Sequence, residues 1–161
     1  MKRRISRKRL KTLLHYDPET GELTRLKNAT RSDLVGQAAG TITTHGYVSV
    51  CVDGQAYQAH VLIWYYVTGR WPPRFLDHEN TVRHNNRWTN LRLATRQQNN
   101  ANSVVSKNNL LRVKGVRRIS KNRFNARLGQ KSLGCFSTVA AASAAYESAA
   151  ERAYGAFARA K

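Results

Sequence analysis

The sequence predicts an α+β chain in two small units, on three observations. An Asp-Gly pair sits between β-rich runs, which marks a hairpin. A strand, loop, strand and helix pattern runs from Phe75 to Asn102. Three short strands and then an alanine-rich helix fill the stretch after Lys114. A length of 161 residues suits one ordinary domain or two small ones.

The first unit opens with a basic segment, residues 1–11, leading into a helical piece. His15 to Leu23 contains Pro18 and Gly21 and reads as a turn before a short strand. Tyr47–Val52 and Gln55–Ala59 flank Asp53-Gly54, the strongest short hairpin signal. His60 closes that hairpin. Val61 to Val67 is β-rich by propensity but too continuous to assign by period, and Gly69 and Pro72-Pro73 end it. Phe75–His78 and Leu91–Ala94 read as short strands. Thr95 and Gln98 make a capping box, so a helix starts near Arg96 and carries Asn99 one turn in. The unit spans 1–102. Polar residues through Asn109 read as a linker, placed at 103–113.

The second unit spans 114–161. Its strands are Gly115–Ile119, Arg123–Leu128 and Lys131–Phe136. In the middle strand Arg123, Asn125 and Arg127 share one face, and Phe124, Ala126 and Leu128 the other. Thr138 caps a helix whose stripe of Ala142, Ala145, Tyr146, Ala149 and Ala153 packs on the apolar sheet face, and Gly155 ends it.

Charge narrows the partners. The chain has 28 Lys+Arg against 9 Asp+Glu, a formal net charge of +19. No acid occurs between Glu79 and Glu147, while that stretch holds Arg83, Arg92, Lys107, Arg117, Arg123 and other cations. A run without counter-charges repels itself unless a polyanion covers it, so nucleic acid is the first partner and an anionic membrane surface the second. No apolar run approaches the roughly 18 residues of a membrane span. The basic start lacks the apolar region of a signal peptide. Cys51 and Cys135 lack metal-type spacing and are expected as small core hydrophobes rather than a disulfide, in a reducing cytoplasm.

Asp77, His78, Asn90 and Asn99 place a carboxylate, an imidazole and two amides in a stretch that can hold one hard cation with a general base beside it. Phosphodiester hydrolysis needs an in-line water, a base and a cation near the leaving oxygen. Neutral imidazole titrates near working pH. Asp and Asn oxygens suit Mg²⁺ or Mn²⁺ better than Zn²⁺.

From about Leu13 to Asn102 the chain resembles the HNH endonucleases of phage and homing type. The residues that carry this are Tyr16 to Gly21, Gly46-Tyr47, Ala59-His60, Gly69 to Pro72, Asp77-His78, Asn85-Asn86-Arg87, Asn90-Leu91-Arg92 and Gln98-Asn99. The resemblance implies a ββα-metal fold with His78 as general base, Asp77 and Asn99 as metal ligands, and Asn90 steadying the loop and orienting His78. It also implies a helix after His60, against the β propensity there. Glu79 stands where the family keeps an apolar residue, as a second acid near the site or a buried charge. His84 reads as a solvated loop residue or a phosphate contact. His60 reads as a hydrogen-bonded structural residue or a phosphate contact.

After Lys114 the chain resembles the Apetala2 (ethylene-response-factor) DNA-binding domain, on Gly115-Val116-Arg117, Phe124 to Arg127, Leu133 to Phe136, Ala144-Ala145-Tyr146 and Gly155 to Ala158. This implies Arg117, Arg118, Arg123, Asn125 and Arg127 as DNA-facing residues. The expectation is a metal-dependent endonuclease that cuts or nicks double-stranded DNA as a monomer in the cytoplasm of a phage host. It takes no small-molecule substrate and no membrane. The alternatives are a DNA-binding protein or regulator with an inactive nuclease unit, and a basic RNA-binding or structural protein.

Overall fold

The computed structural model describes residues 5–27 and 31–159. The first four residues of the basic N-terminal segment and the last two residues of the C-terminal unit lie outside the described residues. The fold is mixed α+β with small antiparallel sheets, and it divides into two compact units, Met1–Ala94 and Thr95–Lys161.

In the first unit, Ser6 caps α1 (Arg7–Leu13) by accepting from the Arg9 amide at 3.2 Å. β1 (Leu14–Tyr16) and β2 (Leu23–Arg25) pair across the 17–22 turn, so the helix feeds a hairpin rather than a single strand. β3 (Thr41–Ile42), β4 (Val48–Val52) and β5 (Gln55–Gln58) form a sheet in that order. Val52 pairs with Gln55, which leaves Asp53 and Gly54 as the two-residue turn at φ of 48° and 75°. Positive φ at both positions is why Asp-Gly is favoured there.

The apolar run after β5 is α2 (Ala59–Thr68), and His60 belongs to this helix rather than to the end of the hairpin. Its buried residues Ala59, His60, Leu62 and Ile63 follow helical spacing, and Gly69 ends it in the left-handed region. Arg7 donates to the carbonyls of Tyr66 and Val67 at 2.9 and 2.8 Å, placing a cation on the last turn. Burial of side chains such as Leu62 and Ile63 contributes about 1.5–3 kcal/mol each. That packing outweighs a local β preference worth about 1 kcal/mol across its whole scale. The core also holds Leu10, Leu14, Tyr16, Leu23, Val50 and Leu91. Hairpin β6 (Phe75–His78) and β7 (Leu91–Ala94) closes the unit.

The second unit begins with α3 (Arg96–Asn102), started by the Thr95/Gln98 capping box. The polar stretch after Gln98 is therefore helical as far as Asn102, and the division between units precedes that helix. Strands β8 (Val116–Ser120), β9 (Arg123–Leu128) and β10 (Lys131–Phe136) form an antiparallel sheet. α4 (Val139–Tyr154), capped by Thr138, covers its Val116, Phe124 and Ala126 face. The buried stripe of α4 is Ala142, Ser143, Tyr146, Ala149 and Ala150; Ala153 is exposed, because the stripe drifts round a 3.6-residue helix. Cys51 and Cys135 are free and exposed, which corrects their placement in the core. Each sits on the outer side of its strand, Cys51 between the buried Val50 and Val52.

Among the described residues no helix is long and apolar enough to cross a membrane.

Candidate active site and basic sheet

Strand β6 ends on Asp77 and His78, each only 4% exposed. The register opposes Asp77 to Arg92 and His78 to Leu91. Arg92 Nε donates to Asp77 Oδ2 at 2.9 Å, and its Nη1 lies 3.7 Å from Glu79 Oε1. Glu79 is an exposed acid in that ion pair, which removes the buried-charge reading. The alternation of Leu91-Arg92-Leu93-Ala94 predicted a half-buried strand; the arginine's partner follows only from the pairing register.

The loop between β6 and β7 is braced from within. Asn90 Oδ1 accepts from the Asn80 amide at 3.0 Å, and Asn90 Nδ2 donates to the Asn85 carbonyl. The Glu79 amide bonds the Asn90 carbonyl at 3.0 Å. Asn90 thus ties both ends of the loop. Asn86, 3% exposed, reaches His78, with Oδ1 3.2 Å from His78 Nε2. Its signal in the sequence was the Asn85-Asn86-Arg87 run, which carries no clue to which amide turns inward.

The loop is also held from outside. Tyr16 Oη donates to the Asn86 carbonyl at 2.9 Å, and the Trp88 amide donates to the Pro18 carbonyl at 3.1 Å. Gly21 makes this approach possible. A Cβ there would lie within 3.0 Å of the Arg87 amide nitrogen and the Asn86 carbonyl carbon, at a φ of +80°.

His60 sits edge-on to His78 with ring centroids 5.0 Å apart, and Tyr47 lies 5.3 Å from His60 and 5.9 Å from His78. His60 is 6% exposed and its Nδ1 is buried without a hydrogen-bond partner. Burial, with a smaller push from the His78 charge, holds His60 down at about 4. Burial also lowers His78, against the Asn86 hydrogen bond and the Asp77 charge, which raise it; nearby Arg83 and His84 add to the lowering. His78 is therefore inclined to the neutral form a base needs. His84 is exposed on the loop. Asn99 lies half-buried on α3, in the second unit.

In the second unit Arg117 opposes Asn125, so Arg117, Arg123, Asn125 and Arg127 share the sheet face away from α4. Arg118 opposes Phe124 instead, with its guanidinium 5.5 Å from that ring's centre. Asn125 Nδ2 donates to Ser132 Oγ and the Gly134 carbonyl, both at 2.9 Å, and Arg127 Nη2 to the Gln130 carbonyl at 3.0 Å. Lys114 donates to the Ala101 carbonyl, and burial with the Arg159 charge pushes its ammonium down to about 8.

Residues 57–101 match the HNH endonuclease family. The matched stretch holds α2, the β6–β7 hairpin, its loop and most of α3, and it supports a nuclease, a hydrolase acting on DNA. No curated protein and no solved structure matches the chain.

Proposed function

We propose that this protein is a metal-dependent DNA endonuclease of the HNH type, with the ββα-metal arrangement and a phage or homing character. The observation that carries the reading is the buried Asp77-His78 pair at the end of β6, inside the stretch that matches the HNH endonucleases.

Asp77 offers a buried carboxylate and Asn99 an amide oxygen, hard donors that fit Mg²⁺ or Mn²⁺. Among the described residues no three His, Cys, Asp or Glu side chains gather as a metal centre. The proposed set therefore leaves most coordination positions to phosphate and water oxygens, as Mg²⁺ prefers. A bound divalent cation would stabilise the charge that develops on the phosphate and the leaving oxygen. His78 takes a proton from the attacking water, Asn90 braces the loop beside it, and the products carry 5′-phosphate and 3′-hydroxyl ends. His60 and Tyr47 pack the imidazole from the protein side.

The C-terminal sheet, proposed as an Apetala2-like reader, positions the chain on double-stranded DNA as a monomer in the host cytoplasm. Its support is the run of exposed arginines on one face and the acid-free stretch 80–146. A second reading, DNA binding without cleavage, is favoured by one contact: Arg92 already neutralises Asp77.

Supercoiled plasmid with Mg²⁺ or Mn²⁺ separates the two. Conversion to nicked or linear form, stopped by chelator, is the expected result; unchanged plasmid in both metals leaves the binding reading. In a metal titration, Asp77→Ala and Asn99→Ala should raise the metal midpoint while His84→Ala moves it little. A larger shift from His84→Ala than from Asn99→Ala would put the ligands elsewhere.

Arg123→Ala and Arg127→Ala should each weaken binding to a preferred duplex by about 1–3 kcal/mol if they meet base edges in pairs of hydrogen bonds. If they meet phosphates, binding weakens equally on every sequence and the salt slope falls. Gel shifts at several salt concentrations, on preferred and random duplexes, distinguish these outcomes. Side-chain changes in the full chain are the cleaner test, because a truncation near Ser106 would cut through the second unit.

A further inference from the structure

A neutral histidine carries one ring proton, and which nitrogen holds it decides which one can act as a base. One ring nitrogen of His78 faces a side-chain amide, that of Asn86. Asn86 Oδ1 lies 3.2 Å from His78 Nε2. The amide cannot be turned round at no cost, because its Nδ2 donates to the His84 carbonyl at 3.3 Å. Turning it would set Oδ1 against that carbonyl, two acceptors face to face. Its backbone is pinned as well, by the Tyr16 hydroxyl on the Asn86 carbonyl. With Oδ1 facing Nε2, a neutral ring protonated on Nδ1 would point a lone pair at a lone pair. A ring protonated on Nε2 donates a buried hydrogen bond.

We infer that Asn86 is the positioning residue for His78: its side-chain oxygen holds the ring proton on Nε2 and so presents Nδ1 as the nitrogen that takes the proton from water. This rests on the reading of His78 as the general base. It deepens that reading, since the loop brace supplied by Asn90 then serves to deliver the Asn86 amide. The burial of Asn86, His78 and His60 together keeps water from competing for the Nε2 proton.

Ring ¹⁵N–¹H spectra of the full chain at pH 8 test this directly, alongside cleavage kinetics. The expected wild-type spectrum shows His78 protonated on Nε2, with that proton exchanging slowly enough to be seen in water. In Asn86→Leu the slow proton should be lost and the Nδ1-protonated form should gain population. Asn86→Asp keeps an oxygen facing Nε2, although its second oxygen meets the His84 carbonyl where Nδ2 donated, and should keep the ring proton on Nε2. The turnover rate at saturating DNA should fall about 10- to 100-fold in Asn86→Leu, the usual worth of a group that orients a working histidine. It should recover in part in Asn86→Asp, with DNA affinity unchanged in both.

A wild-type His78 protonated on Nδ1, or a fast-exchanging Nε2 proton, overturns the inference without any variant having to fold. So does an unchanged ring spectrum in a folded Asn86→Leu. If wild-type protein leaves plasmid intact with Mg²⁺ or Mn²⁺, the nuclease reading fails, while the ring spectra still decide whether Asn86 sets the tautomer.

Discussion

His78→Ala should slow Mg²⁺-dependent plasmid cleavage by at least about 100-fold, the contribution expected of a positioned general base. DNA affinity should stay close to wild type, because the basic side chains of the loop and the second unit are untouched. His78 is buried, so the comparison needs a folded variant, checked by thermal melting. Cleavage at the wild-type rate by folded His78→Ala would remove the base from the scheme. Loss of both cleavage and binding would mean that the site had collapsed rather than lost its chemistry.

Acid should destabilise the protein through His60, by up to about 3 kcal/mol between pH 7 and pH 4. The imidazole is held at about 4 in the folded chain against an ordinary value near 6.5. Between those values the unfolded chain takes up a proton that the folded chain refuses. Stability is therefore complete above about pH 6.5, falls as pH drops, and the loss levels off below about 4. A shift of that size corresponds to the quoted energy at about 1.4 kcal/mol per pH unit. Urea midpoints at pH 7 and pH 4.5 for wild type and His60→Gln check it. The variant should lose less stability on acidification, keeping the share due to His78, whose value is also lowered. Equal losses would show that His60 is not the group responsible.

What could be read from the residues was what short-range chemistry determines. The Asp53-Gly54 turn, the Thr95/Gln98 capping box, the alternating faces of β9 and the bounds of β6 and β7 all came through, because each depends on neighbours a few positions apart. The run after His60 has no usable period, and its helix came from resemblance; in the structure the buried positions of that helix carry it. The site's inner contacts were not legible. Arg92 reaches Asp77 through strand register, and Asn86 reaches His78 across a loop whose shape depends on the distant 17–22 turn. Similarly, Cys51 and Cys135 looked apolar enough for a core, but strand alternation turned both outward. The assignment of α3 to the second unit is a property of three-dimensional packing that a polar stretch does not announce.

Gly21 gives the nuclease loop an unusual genetic signature. The obstacle to a side chain there is main chain, the Asn86 carbonyl carbon and Arg87 amide nitrogen, so no rotamer change nearby can make room. Gly54 also has positive φ, but open space surrounds the position where its side chain would be. In a library randomised at both codons and selected for a working protein, codon 54 should tolerate Asn and Asp. Codon 21 should return glycine alone, and any survivor should carry a second change in the loop from Asn85 to Trp88.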